Sequence, residues 1–274
     1  MKQVQAAMMS ASGRETMTEE TAARLLATGL GDVCADPVIC YAAPAGRRLL
    51  RAPGWRVERG AWGAPHVTHA DRWEGKGPNP WYDFAQLLLS WDASRRALFF
   101  EDDVWACRNA PIRMATLDAP TDAGVVVCFD LRNEWPRPGY YAASPGKPLW
   151  GAQALMFPEH AIAGLQMLAL RGPTMRGKPV RVWDTWIGYA VELLGLRVYH
   201  YSPSLVQHRG MYSLGHPHAK RPIAFNYPGE DFDALGPCPD PIVLGPSPMP
   251  LRMPCKMHGG EIHPNGARCA DLID

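Results

Sequence analysis

The sequence predicts an α/β protein, a mixed sheet flanked by helices and followed by an extended, proline-rich tail. Three observations lead there. Short, wholly apolar runs of buried-strand type recur at PVICYAA, ALFF and GVVVCF. Segments whose apolar residues fall at helical spacing lie between the later runs. One run ends abruptly in three acids, Glu101, Asp102 and Asp103, at the strand end where open α/β sheets hold their ligands.

Taken in order, residues 1–35 read as a polar lead-in with one helix, where Thr18 precedes Glu19 and Glu20 and the apolar set Ala22, Leu25, Leu26 follows. Asp36 to Ala43 is a buried strand bounded by Pro37 and Pro44. Residues 44–80, rich in Gly, Pro, Arg and Trp, predict long loops with a second strand near Trp55 to Val57. Pro80 opens a helix whose apolar face carries Trp81, Phe84, Leu87, Leu88 and Trp91. The strand Ala97 to Phe100 follows, then strands over Gly124 to Asp130 and Trp150 to Phe157. Pro158 and Glu159 open the helix Ala161 to Leu170. Asp184 stands as N-cap of a helix over Thr185 to Leu194, and Leu196 to Tyr201 is the last strand. Periodicity fades after residue 220. The expected organisation is a lead-in (1–35), a catalytic domain (36–219) and a C-terminal extension (220–274).

Composition narrows the classes. The 274 residues are 47% hydrophobic with ten Trp, enough for a substantial core, which excludes disorder of the body. A net charge of +1 removes the simplest argument for bulk binding to nucleic acid or anionic lipid. No apolar run reaches the roughly 18 residues of a membrane span, so no membrane insertion is expected. The first residues lack a leucine-rich stretch, which predicts a cytoplasmic location. Cys34, Cys40, Cys107 and Cys128 lie in apolar or mixed segments and read as buried, reduced thiols.

Adjacent carboxylates at the end of a buried strand repel one another, and a hard divalent ion relieves that cost. In an extended segment Glu101 and Asp103 face one side and converge on one ion, while Asp102 turns to a hydroxyl or backbone partner. Oxygen ligands of this kind suit Mg²⁺ or Mn²⁺. The competing account is a solvated acidic turn.

The segment ALFFEDDV resembles the metal and nucleotide-sugar motif of GT-A glycosyltransferases. Two later segments resemble them in the same order: WDTWIG (183–188) and the PSLVQH stretch that ends at His208, similar to branching N-acetylglucosaminyltransferases and lipopolysaccharide-type glycosyltransferases. The resemblance spans roughly residues 36–215. It implies a GT-A-like (Rossmann-like) fold and metal-dependent transfer of a sugar from a nucleotide-sugar donor, such as a UDP-sugar, to a hydroxyl acceptor. It further implies that Asp103 binds the metal, Asp102 faces the donor ribose, Glu101 assists directly or through water, and His208 is the second protein ligand. Its imidazole nitrogen suits Mn²⁺ better than Mg²⁺.

Asp184 is then the candidate general base for an inverting transfer, with a pure helix cap as the plain alternative. Lys76, Asn79 and Arg209 are candidates for the diphosphate or base. Trp150, Gly151 and Trp186 are candidates for an acceptor wall, against core packing as the plain account. In the tail, Cys238, Cys255, His258 and Cys269, with His263 as a substitute, have the donor chemistry of a structural Zn²⁺ site; independent thiols are the simpler reading. Two other functions stay open on the sequence: a glycosyltransferase whose acceptor is a hydroxylated DNA base, and a non-catalytic binding module with a Cys/His tail.

Overall fold

The structure is a computed structural model that describes residues 3–43, 50–60, 80–129, 138–144, 149, 152–175, 178–180, 183–209, 224, 227–236, 242–244, 254–255 and 260–261. In chain order the elements are β1 (Gln5–Ala11), α1 (Glu15–Ala27), α2 (Leu30–Val33), β2 (Val38–Ala42), β3 (Arg56–Arg59), α3 (Pro80–Ser90), β4 (Ala97–Glu101), β5 (Val104–Ala106), α4 (Ala110–Thr116) and β6 (Ala123–Val127). They continue with β7 (Gly139–Ala142), β8 (Ala154–Phe157), α5 (Glu159–Ala169), the short pair β9 (Thr174–Met175) and β10 (Lys178–Pro179), α6 (Trp183–Leu193), β11 (Arg197–Ser202), β12 (Val206–His208) and β13 (Ile242–Leu244).

Among the described residues nine strands form one mixed sheet in the order β13-β7-β11-β6-β8-β4-β1-β2-β3. β4, β1, β2 and β3 run parallel, β8 runs antiparallel between β4 and β6, and β11 returns parallel to β6. The period-2 alternation of each strand divides the core in two. Leu98 and Phe100 of β4, with Val126 and Met156, face the layer of α1, α2 and α4. Ala97 and Phe99, with Val125, Val127, Leu155 and Phe157, face α3, α5 and α6. Burial on both faces is why these strands read as continuous apolar runs. On the second face Phe84 and Phe99 meet with ring centroids 5.7 Å apart, and Trp183 lies 5.1 Å from Phe84.

Two expectations are corrected. Residues 1–35 are not a lead-in with one helix: Gln5–Ala11 forms β1 inside the sheet, paired with β2 on one side and β4 on the other. The QAAMMSA run is made of small and unbranched residues with weak strand preference, and only tertiary pairing makes it a strand. Asp184 is not an N-cap, because α6 begins at Trp183 and places Asp184 inside its first turn. Cys34, Cys40, Cys107 and Cys128 are free and buried, as expected. Among the described residues no helix is long and apolar enough to cross a membrane.

Candidate functional site

The acidic triplet closes β4 and turns the chain into β5. Because residues of β4 alternate, Glu101 continues the row of Ala97 and Phe99 and projects toward α3 and α6. Asp102 lies on the other side, 4% exposed, against α1. There Thr18 Oγ1 lies 3.4 Å from its Oδ2, and Thr21 Oγ1 donates to its backbone carbonyl at 2.9 Å. Asp102, expected to face a donor ribose, thus lies against the Thr18 hydroxyl of α1 and the Arg14 guanidinium. Asp103 is 2% exposed.

His208 reaches the triplet through strand pairing. β12 runs antiparallel to β5 with His208 opposite Val104, and the Arg209 amide donates to the Asp103 carbonyl at 2.6 Å. Gln207 holds this strand in place, accepting from the amides of His208 and Ala224 and donating to the Ala224 carbonyl. As a result His208 Nε2 lies 3.2 Å from Asp103 Oδ1, although the two residues are about a hundred positions apart in sequence.

Arg14 was not among the residues that sequence reasoning singled out. Its guanidinium contacts Asp102 Oδ1 at 2.9 Å and also Asp103 Oδ2. Gly13, at φ 94°, supplies the left-handed turn that takes the chain from β1 toward α1 and sets Arg14 over the acids. No motif marks Arg14 in the sequence: its place over the acids depends on β1 lying beside β4, and the β1 run has weak strand preference of its own.

The electrostatics separate the carboxylates. Burial alone would push Asp103 up, but His208 and then Arg14 outweigh it and hold the carboxyl at about 2. Burial dominates at Asp102 and raises it to about 6 despite Arg14. It also lifts Glu101 well above the ordinary carboxylate value, with Asp103, Asp102 and Asp184 adding repulsion. Asp184 is pushed to about 6 by burial, partly opposed by the Thr185 amide that donates to its Oδ1 at 2.5 Å. Arg14 stays charged: burial opposes it, and Asp102 and Asp103 outweigh that cost.

The donor set fits a divalent cation. One ligand atom from each of Glu101, Asp103 and His208 lies within 4.8 Å of the others. Neighbouring ligands of an octahedral ion with bonds of about 2.1 Å stand about 3 Å apart, close to the separation of His208 Nε2 from Asp103 Oδ1. Among the described residues, neither His208 Nδ1 nor the amide oxygen of Gln153, both buried, has a hydrogen-bond partner. Gln153 follows the antiparallel register of β4 and β8 to a place beside Glu101, whose amide donates to the Gln153 carbonyl at 2.9 Å. Sequence reasoning missed Gln153, because a lone amide in an apolar run carries no motif.

The other expected site residues fall variously. Arg209 is near the cluster, with its guanidinium 4.4 Å over the Trp105 ring and paired to Glu20. Trp186 is corrected from acceptor wall to core: it is 1% exposed, edge-on to Trp81 at 5.8 Å, because the apolar face of α6 packs on the sheet. Lys76, Asn79, Trp150 and Gly151 lie outside the described residues, as do Cys238, His258, His263 and Cys269 of the expected zinc set. Only the backbone of Cys255 is described.

No protein-family profile matches the sequence, and a search of curated proteins finds no match. Among solved structures the chain is similar to 2-C-methyl-D-erythritol 4-phosphate cytidylyltransferase from Thermus thermophilus, at 17% identity and TM-score 0.43 over 78% of this chain and 94% of that one. It is similar to the galactosyltransferase LgtC in complex with donor and acceptor sugar analogs, at 11% identity and TM-score 0.39 over 72% of this chain and 73% of that one. It is similar also to mouse xyloside xylosyltransferase 1, at 8% identity and TM-score 0.40 over 71% and 82%.

Proposed function

We propose that this chain is a metal-dependent glycosyltransferase that moves a sugar from a nucleotide-sugar donor to a hydroxyl acceptor. One observation carries the reading: Glu101 and Asp103 of the triplet and the distant His208 converge at the carboxyl end of β4 with ligand atoms within 4.8 Å. Glu101, Asp103 and His208 would hold Mn²⁺ or Mg²⁺, which when bound supplies positive charge for a departing diphosphate. Asp102 serves the site from behind, joining Arg14 to the hydroxyls of α1 and fixing the turn that presents Asp103.

Asp184, on the α6 side with Glu101, is the group proposed to take the acceptor proton. Burial pushes its carboxyl up to about 6, so at neutral pH it is ionised yet a stronger base than a solvated carboxylate. The Gln153 amide oxygen, buried and without a hydrogen-bond partner among the described residues, is the acceptor proposed for a hydroxyl brought beside Glu101.

The test is calorimetric titration of UDP in the presence and absence of Mn²⁺. Binding that requires the metal and disappears in Asp103→Ala is expected. Metal-independent binding that survives Asp103→Ala would contradict the proposal. A screen of nucleotide-sugars for slow hydrolysis by the purified protein then identifies the donor, without knowledge of the acceptor.

A further inference from the structure

We infer that Arg14 is the resident counter-charge of the carboxylate cluster and that it sets how tightly a divalent cation binds there. The inference rests on the metal reading of Glu101, Asp103 and His208 given above.

Arg14 is placed to do this. Its side chain is 15% exposed, those of Asp102 and Asp103 are 6% and 3%, and solvent therefore screens the contacts weakly. It occupies Oδ2 of Asp103 while Oδ1 faces His208, so a metal would approach that carboxylate by Oδ1. A cation bound among Oδ1, Glu101 and His208 would then share Asp103 with a guanidinium of the same sign.

The charge balance gives the direction. Arg14 contacts both Asp102 and Asp103, and Glu101 stands with Asp103 and His208 at the cation position. One positive charge makes the metal-free protein tolerable, yet it leaves the cluster negative enough to attract a divalent ion. At the same time a unit charge a few ångströms from a divalent ion in a partly buried site opposes its binding strongly. The fork is also incompletely satisfied, since Arg14 Nε is buried and has no hydrogen-bond partner among the described residues. Charge rather than a full set of hydrogen bonds holds it over the acids. With this balance the site takes up its cation reversibly instead of locking it in.

The probe is manganese chloride, titrated by calorimetry and by electron paramagnetic resonance of free Mn²⁺ against the full chain. Arg14→Met is expected to bind Mn²⁺ at least about tenfold more tightly than the wild type. Its melting temperature without metal should be lower, and Mn²⁺ should raise it more than in the wild type. Arg14→Lys, which keeps the charge, should bind within a few-fold of the wild type; if Arg14→Met does not fold without metal, Arg14→Gln replaces it. Mn²⁺ binding that is present in the wild type, lost in Asp103→Asn, and unchanged or weaker in Arg14→Met overturns the inference and leaves the metal reading intact. Absence of Mn²⁺ binding from both the wild type and Arg14→Met overturns the metal reading and this inference with it.

Discussion

Between pH 4 and 7 the metal-free protein is expected to lose stability as pH rises, and Asp184 is the group in which to measure this. Burial holds its carboxyl at about 6, against an ordinary value near 3.8. The folded state therefore keeps a proton that the unfolded chain has already released. The resulting stabilisation is fully present below about 3.8 and is lost as pH rises through about 6. A displacement of about two units at about 1.4 kcal/mol each is on the order of 3 kcal/mol, an upper figure because Asp184 retains some solvent contact. Asp102, at about 6, and Glu101, also raised, act in the same direction. Asp103, at about 2, acts oppositely: its contribution is present above about 4 and lost as pH falls toward 2. Urea denaturation from about pH 4 to 7 in the wild type and in Asp184→Asn measures the effect. The variant removes one of the raised groups and should show a visibly shallower decline. A wild-type stability that is flat or rising from about pH 4 to 6.5, or a decline fully retained in Asp184→Asn, would mean that Asp184 does not keep its proton in the folded state.

Three packing predictions follow. A Cβ on Gly124 would stand 2.6 Å from Val191 Cγ1 and 2.9 Å from Val191 Cγ2, so Gly124→Ala should destabilise by about 1–3 kcal/mol in chemical denaturation. Phe99 is fully buried against Phe84 and Trp183, and Phe99→Ala should cost about 3–5 kcal/mol by the same assay. Thr21→Val removes the hydroxyl that donates to the Asp102 carbonyl at 2.9 Å, with the Val104 carbonyl at 3.3 Å; a loss of about 1–3 kcal/mol is expected, along with weaker Mn²⁺ binding as the turn loosens.

What the sequence disclosed follows from which forces act locally. Strands buried on both faces announce themselves, and β2, β4, β6, β8 and β11 stand close to where the apolar runs predict them. The triplet was readable because three adjacent acids after Phe100 have few inexpensive explanations. The meeting of His208 with Asp103 was anticipated from motif order alone, whereas the geometry behind it, β12 paired on β5, is non-local and has no trace in the composition. β1 was missed because Gln5–Ala11 has no strand preference of its own, and Arg14 was missed with it, since its role depends on β1 lying beside β4. Trp186 shows the opposite failure. An aromatic residue beside a candidate base invites a functional reading, but helical periodicity assigned it to the core face.

A crystal of the wild-type protein soaked in manganese chloride, measured at the manganese absorption edge, shows whether Glu101, Asp103 and His208 share one cation. An anomalous peak within coordination distance of Asp103, Glu101 and His208 is expected, with no peak there in Asp103→Asn. A peak elsewhere, or an ordered Arg14 with no ion between Asp103 and His208 at saturating manganese, would contradict a shared cation.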